Sequence, residues 1–296
     1  MKRLTRDKRV PLQRRYQVLK PVMKVEPGET IVVETVNHMT PIVRSESDVH
    51  PHGSPEYQER EETGPIYVEG AKSGDALAIH IENIDIVGLP HAYGCGPLVD
   101  EYPQKPRVFP VENDRCILPG GVSVPIHPMV GDIYTTPNIS PRFYDHGGNM
   151  DFTEIKPGNT LYLPVYHDGG LLVLGDVHAV QGDGEIYGEG AETAADITII
   201  VEIDRKYRNP RPLVETDDSL ITLACREKLF DSIQLATRDM TELLSKIYDI
   251  SKEDAYITCN LSGSLRIAGS MSRRYMTEER CIVGLSVEKD IEIIER

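Results

Sequence analysis

The chain has no tryptophan and only 4 phenylalanines, so an aromatic wall around any ligand falls mainly to its 14 tyrosines. It lacks an apolar run long enough to span a bilayer, which takes roughly 18 residues, so no membrane helix is expected. The basic N-terminus is followed by no apolar stretch, so no signal peptide is expected either. No CxxC pair occurs. The 5 cysteines (Cys95, Cys116, Cys225, Cys259 and Cys281) are scattered and odd in number, which suits reduced thiols in a cytoplasmic protein better than a disulfide frame. No segment is of low complexity. Positive charge is in the minority, with 32 Lys and Arg against 47 Asp and Glu and a net charge of -15. That balance argues against nucleic acid or an anionic membrane as partner.

What is present describes a turn-rich β protein. The length of 296 residues can bury a full core in one large or two small domains. The 24 glycines and 21 prolines fall largely between short apolar runs, against a helical bundle. Three similar entries, PGETIVV after Glu26, SGDALAIHI after Lys72 and KPGNTLYL after Ile155, each pair a turn signal with a strand. Their unequal intervals exclude a solenoid. Leu77, Ile79 and Ile81 alternate with His80 and Glu82, as in a half-buried antiparallel strand. The fold expected is mainly β, a sandwich or barrel of antiparallel strands over residues 1–204. A charged, Pro-rich linker from Arg205 then leads into a small C-terminal α+β part, 205–296. There Ile233, Ala236, Met240, Leu243, Leu244 and Ile247 share one helical face. Ser251, with Asp254 three residues on, marks the start of a second helix.

Several segments carry side chains that could do chemistry. Residues 1–20 hold 8 Lys and Arg against 1 acid, either an arm docked on the acidic body or on a second subunit, or a loosely held solvated lead, which composition favours. His50, His52 and Glu56 have the H-x-H-x3-E spacing of a cupin metal motif, but no second cupin motif follows and their loop is charged and proline-bearing. His91 and Cys95 lie in a Pro- and Gly-rich excursion from which either could reach a pocket. His127, before a proline, is in extended backbone. Pro65 is expected at the edge or the start of its strand, since it has no donor for a ladder.

The densest concentration of polar groups runs from His146 to Glu192. Asn149 and Asp151, Asp176 and His178, and Asp183 and Glu185 are pairs spaced by two, so on extended backbone each pair leaves by one face. Polar pairs beside the strands LYLPV and GLLVLG are costly to bury unless they serve a pocket; otherwise they are solvated hairpin ends. Clustered carboxylates with an imidazole favour a metal or acid–base site.

The words HGGNMD (146–151), LYLPV (161–165), GDVHAVQGDGE (175–185) and GPIYVEGAKSGD (64–75) resemble the acetamidase/formamidase family, as, more weakly, do HPMVGDIYTTP (127–137) and SLRIAGSM (264–271). The resemblance implies a mostly β fold, hydrolysis of small aliphatic amides to carboxylate and ammonia, and a divalent metal. One departure stands out: family members tend to follow the position of Asp48 with cysteine, and Val49 stands here.

Chemistry assigns the roles. Asp151, Asp176 and His178 are the expected ligands, and such mixed ligation suits zinc best, then manganese, with calcium the oxygen-preferring alternative. Glu185 is the expected base, with Asp183 or Glu189 holding it or donating the second proton. Asn149 and the Gly147–Gly148 backbone would stabilise an oxyanion, and Gln181 would touch substrate. A homodimer is the assembly expected, as the commonest symmetric outcome. The competing reading is a cupin-like metal-binding β-barrel acting on a small polar metabolite. A Cys–Glu–Lys nitrilase arrangement fits less well, because no cysteine has that strand–turn context.

Overall fold

The computed structural model describes residues 1–11, 14–37, 42–50, 61–94, 96–98, 100–102, 105–137, 143–268 and 280–294. His52, Glu56 and Cys95 lie outside them. In chain order, the first strands are β1 (Lys2–Leu4), β2 (Arg9–Val10), β3 (Met23–Val25), β4 (Thr30–Glu34), β5 (Glu62–Val68) and β6 (Ala76–Ala92). Four short ones follow: β7 (Arg107–Val108), β8 (Val111–Glu112), β9 (Arg115–Ile117) and β10 (Ser123–Pro125). The central run comprises β11 (Met129–Tyr134), β12 (Gly147–Asn149), β13 (Thr160–Pro164), β14 (Leu172–His178) and β15 (Glu192–Asp204). The chain closes with β16 (Leu213–Glu215), β17 (Ser219–Arg226), α1 (Leu229–Tyr248), α2 (Lys252–Ser262), β18 (Gly263–Ala268) and β19 (Cys281–Glu288).

Sixteen strands form one mostly antiparallel sheet along the order β12-β11-β14-β15-β6-β13-β16-β17-β19-β18, with β1 to β5 and β7 branching from it. Strands β8, β9 and β10 make a separate sheet of three. Among the described residues the ends of the long path, β12 and β18, do not pair, so the sheet does not close into a barrel. The mainly β expectation holds, and so do the two C-terminal helices. The sheet runs through β13 and β16 into the C-terminal strands without a break.

Alternation along the strands feeds two cores at once. Leu77, Ile79, Leu161, Leu163, Ile221 and Leu223 point into the larger core, shared with β4, β5, β14 and β15. Ala78, Tyr162, Leu220 and Ala224, one residue out of step, point into the second. Helix α1 covers that second face with Ala236, Met240, Leu243 and Leu244. Ser251 caps α2 by accepting the Asp254 backbone N–H at 3.0 Å.

Two expectations are corrected. Pro65 sits inside β5, which has strands on both sides. It is tolerated there because the β5–β14 register shifts between Leu172 and Leu174, and a bulge needs no ladder donor from it. The basic arm is also no solvated lead. Arg3 bonds Glu34 and Asp196, Arg6 bonds Asp196, and Arg15 pairs with buried Asp132 and Glu62. The acidic body supplies the counter-charges that composition could not locate.

Candidate active site

The register of four strands assembles the site. Asp132 of β11 faces Asn149 of β12, Met129 of β11 faces His178 of β14, and His178 faces Glu192 at the start of β15. The strand pair β14–β15 thus sets an imidazole beside a carboxylate 14 positions away in sequence. Two overlapping trios result, Asp151, Asp176 and His178, and His178, Glu185 and Glu192. Within each trio one ligand atom from every residue lies within 4.8 Å of the others, and all five side chains are buried. His178 Nε2 is 3.2 Å from Glu192 Oε1 and 3.8 Å from Asp176 Oδ1.

Neighbours fix these groups in place. Gln181 accepts from His178 Nδ1 and donates through Nε2 to the Asp151 backbone carbonyl at 2.7 Å. With Nδ1–H committed to Gln181, Nε2 is the nitrogen turned to the carboxylates. Asn149 Nδ2 donates to Asp151 Oδ2 at 2.6 Å. Asp151, Asp176 and Glu185 all have positive φ, 45°, 55° and 45°, a backbone conformation non-glycine residues seldom adopt. Strain of about 1–3 kcal/mol per residue persists only where surroundings over-determine it, typically at functional sites.

The electrostatics fit a cation. Burial would pull the His178 pKa down, but the Glu192 and Asp176 carboxylates outweigh it and hold it well above 6.5. Burial, and then the charge of Asp151, push Glu185 well above the usual carboxylate range. Both groups thereby retain protons that offset crowded negative charge in a dry place. A divalent ion would meet the same need, since imidazole and carboxylates are its ordinary donors. The space is also kept clear. A Cβ on Gly131 would lie 2.7 Å from Asp151 Oδ1 and 3.0 Å from Asp176 Oδ2, and one on Gly190 would lie 2.6 Å from His178 Nδ1.

The expected residues divide into groups. Asp151, Asp176, His178 and Glu185 come together. Gln181 and Asn149 hydrogen-bond to members of this cluster, and Gln181 also lines the cavity beside it. Gly147 N–H donates to the Tyr144 carbonyl at 3.2 Å, and a Cβ on Gly148 would strike the Tyr144 ring. Packing is therefore what these glycines visibly serve. Asp183 is taken by Arg266 and Thr153. Burial raises its pKa, but those partners more than reverse this and hold it below the usual carboxylate range. Glu189 accepts the Tyr93 N–H at 2.6 Å and lines, with Glu185 and Gln181, a cavity of about 710 Å³. His127 and Cys116 line the same cavity, and burial raises the Cys116 thiol, against a thiolate nucleophile. His91 is the register partner of Glu192. His50 belongs to neither trio. Glu192 is the residue sequence reasoning missed; folding GDVH back on the next strand through a glycine-rich connection was the available signal.

The Acetamidase/Formamidase family model matches residues 1–109 and 130–290. The structure of an acetamidase from Bacillus halodurans is 30% identical and superposes with a TM-score of 0.83, covering 97% of each chain. That of a predicted acetamidase/formamidase from the thermophile Thermoanaerobacter tengcongensis is 28% identical with a TM-score of 0.86, covering 97% of this chain and 95% of its own. A formamidase from Methylophilus methylotrophus is 50% identical over 48 residues, 16% of this chain and 11% of its own. The curated relatives are matched over about half of their length or less.

Proposed function

The chain belongs to the acetamidase/formamidase family, and from that premise we propose that it hydrolyses an aliphatic amide to carboxylate and ammonia with the help of a divalent metal. The observation that carries the reading is the buried meeting of His178 with Asp151, Asp176, Glu185 and Glu192. An amide resists hydrolysis because its carbonyl is a weak electrophile and its amine a poor leaving group. A bound divalent ion supplies Lewis acidity toward the carbonyl and a more acidic water. Asp151, Asp176 and His178 would hold it, with Glu192 beside them; this donor set favours zinc or manganese over calcium.

The chain's own groups do the rest. Glu185 borders both the cluster and the cavity. With an ion bound to offset the surrounding negative charge, Glu185 would give up its own proton, and as a carboxylate it would take one from water and return it to the departing nitrogen. Gln181 keeps His178 in one tautomer and Asn149 keeps Asp151 in one rotamer. Burial excludes bulk water, which strengthens each of these interactions.

Ammonia release from formamide and acetamide, together with metal content, tests the reading. Glu185→Gln should keep its metal and lose at least a hundredfold in kcat/KM, because it removes a proton-transfer group. His178→Ala should lose metal and turnover together. Full turnover in chelated, metal-free protein would remove the metal from the scheme, and no ammonia from any amide would end the hydrolase reading. A homodimer is the assembly we propose, to be read by light scattering.

A further inference from the structure

The cavity beside Glu185 is far larger than the substrates usual for an enzyme of this kind. Its volume of about 710 Å³ far exceeds what formamide or acetamide, with three and four non-hydrogen atoms, would fill. Its wall is mostly apolar, built by Phe109, Leu118, Val124, Val180 and Ile186. The charged groups facing it are the acids Asp183, Glu185 and Glu189 and the base Arg107, a balance of negative charge that disfavours an anionic substituent.

The origin of that wall is informative. The family model matches on both sides of residues 110–129 but not across them. That segment is the small sheet β8–β10 with its flanks, and it contributes Cys116, Leu118, Val124 and His127 to the cavity. It is not a loose appendage. Cys116 packs with Ala179 and Ala191, and Leu118, Val124 and Val180 join the same cluster. The segment therefore rests on the β14–β15 connection, the stretch that carries Gln181 and Glu185.

Resting on the amide-hydrolase reading, we infer that this cavity receives an apolar acyl group, so that the preferred substrates are primary amides with longer hydrocarbon chains and segment 110–129 is the specificity determinant. Hydrolysis itself is unchanged: water adds at the carbonyl carbon, the C–N bond breaks, and ammonia leaves with the returned proton. What changes is that the acyl chain leaves water as the reacting carbon approaches Glu185. Each buried methylene is worth about a fourfold gain in binding.

The test is kcat/KM by ammonia release for acetamide, butanamide and hexanamide with the metal-loaded enzyme. The inference expects a rise of at least tenfold from acetamide to hexanamide. Val124→Trp, which fills the cavity, should cut the hexanamide-to-acetamide ratio at least fivefold. Leu118→Ala, which only removes wall, should lower it through lost contact, and circular dichroism melting establishes that each variant is folded. A flat or falling series in an enzyme that hydrolyses acetamide overturns this inference and leaves the amide reading standing. So does a ratio unmoved in both folded variants. Turnover of none of the three strikes the hydrolase reading first, and this inference with it.

Discussion

At the scale of single residues, the site is a balance of buried charge. Asp151, Asp176, Glu185 and Glu192 crowd around one imidazole, and His178 and Glu185 keep protons because of it. Metal binding should therefore release protons. Titration calorimetry with zinc in buffers of different ionisation enthalpy should give buffer-dependent heats, and identical heats would contradict the charge argument. Gln181→Leu should weaken metal affinity by about 10–100-fold, the usual cost of losing such a supporting bond, readable by competition with a chelating dye. His146 lies on the other side of the strands, among Tyr16, Tyr134 and Arg15. Burial, then Arg15, lowers its pKa to about 3. The folded protein thus keeps it neutral while the unfolded chain protonates it near 6.5. Its contribution to stability is complete above pH 6.5 and lost as pH falls toward 3, at ~1.4 kcal/mol per pH unit. Urea unfolding at pH 7 and pH 5 should show that slope, and His146→Gln should lack it. The sequence announced Asp151, Asp176, His178 and Glu185, because polar residues spaced by two on short strands are conspicuous. It could not announce the positive φ at three of them, which only the surrounding packing imposes.

At the scale of elements, the strand pair β14–β15 is the frame of the site and α1 is its remote support. Leu244 is buried in the second core under α1, away from the cluster. Leu244→Ala should cost about 2–5 kcal/mol in chemical denaturation while metal content of the folded protein stays unchanged; a matching loss of metal would link the two cores. The N-terminal arm is the opposite case, a peripheral piece with a buried anchor. Arg15 is only 14% exposed and faces two carboxylates that are fully buried. Arg15→Met would strand those charges, and a loss of about 3–5 kcal/mol is expected. Wild-type stability in that variant would show the arm to be ornamental. Turn signals revealed β4 and β13, alternation revealed β6 and the apolar run GLLVLG revealed β14, because each buries a continuous set of apolar residues. The docking of the arm was illegible, since a cluster of like charges carries no information about where its counter-charges fold.

At the scale of the whole molecule, folding and ligand binding should be coupled. An ion that binds the assembled trios and not the unfolded chain stabilises by about 2.7 kcal/mol at a hundred times its Kd. Tm should accordingly rise with added zinc or manganese in wild type and stay flat in His178→Ala. No helix of the described residues is long and apolar enough to cross a membrane. The sequence by itself determined the β-rich class, the two C-terminal helices and the run of residues from which the site is drawn, because periodicity, turn residues and caps are local and act over a few positions. Only the tertiary structure decided that Glu192 joins His178, that Gln181 bonds His178 and Asn149 bonds Asp151, and that Asp183 pairs with Arg266. It also placed part of residues 110–129 in the wall of the cavity. Those outcomes depend on strand register and on which distant side chain reaches a buried group first, and neither is encoded in the spacing of neighbours along the chain.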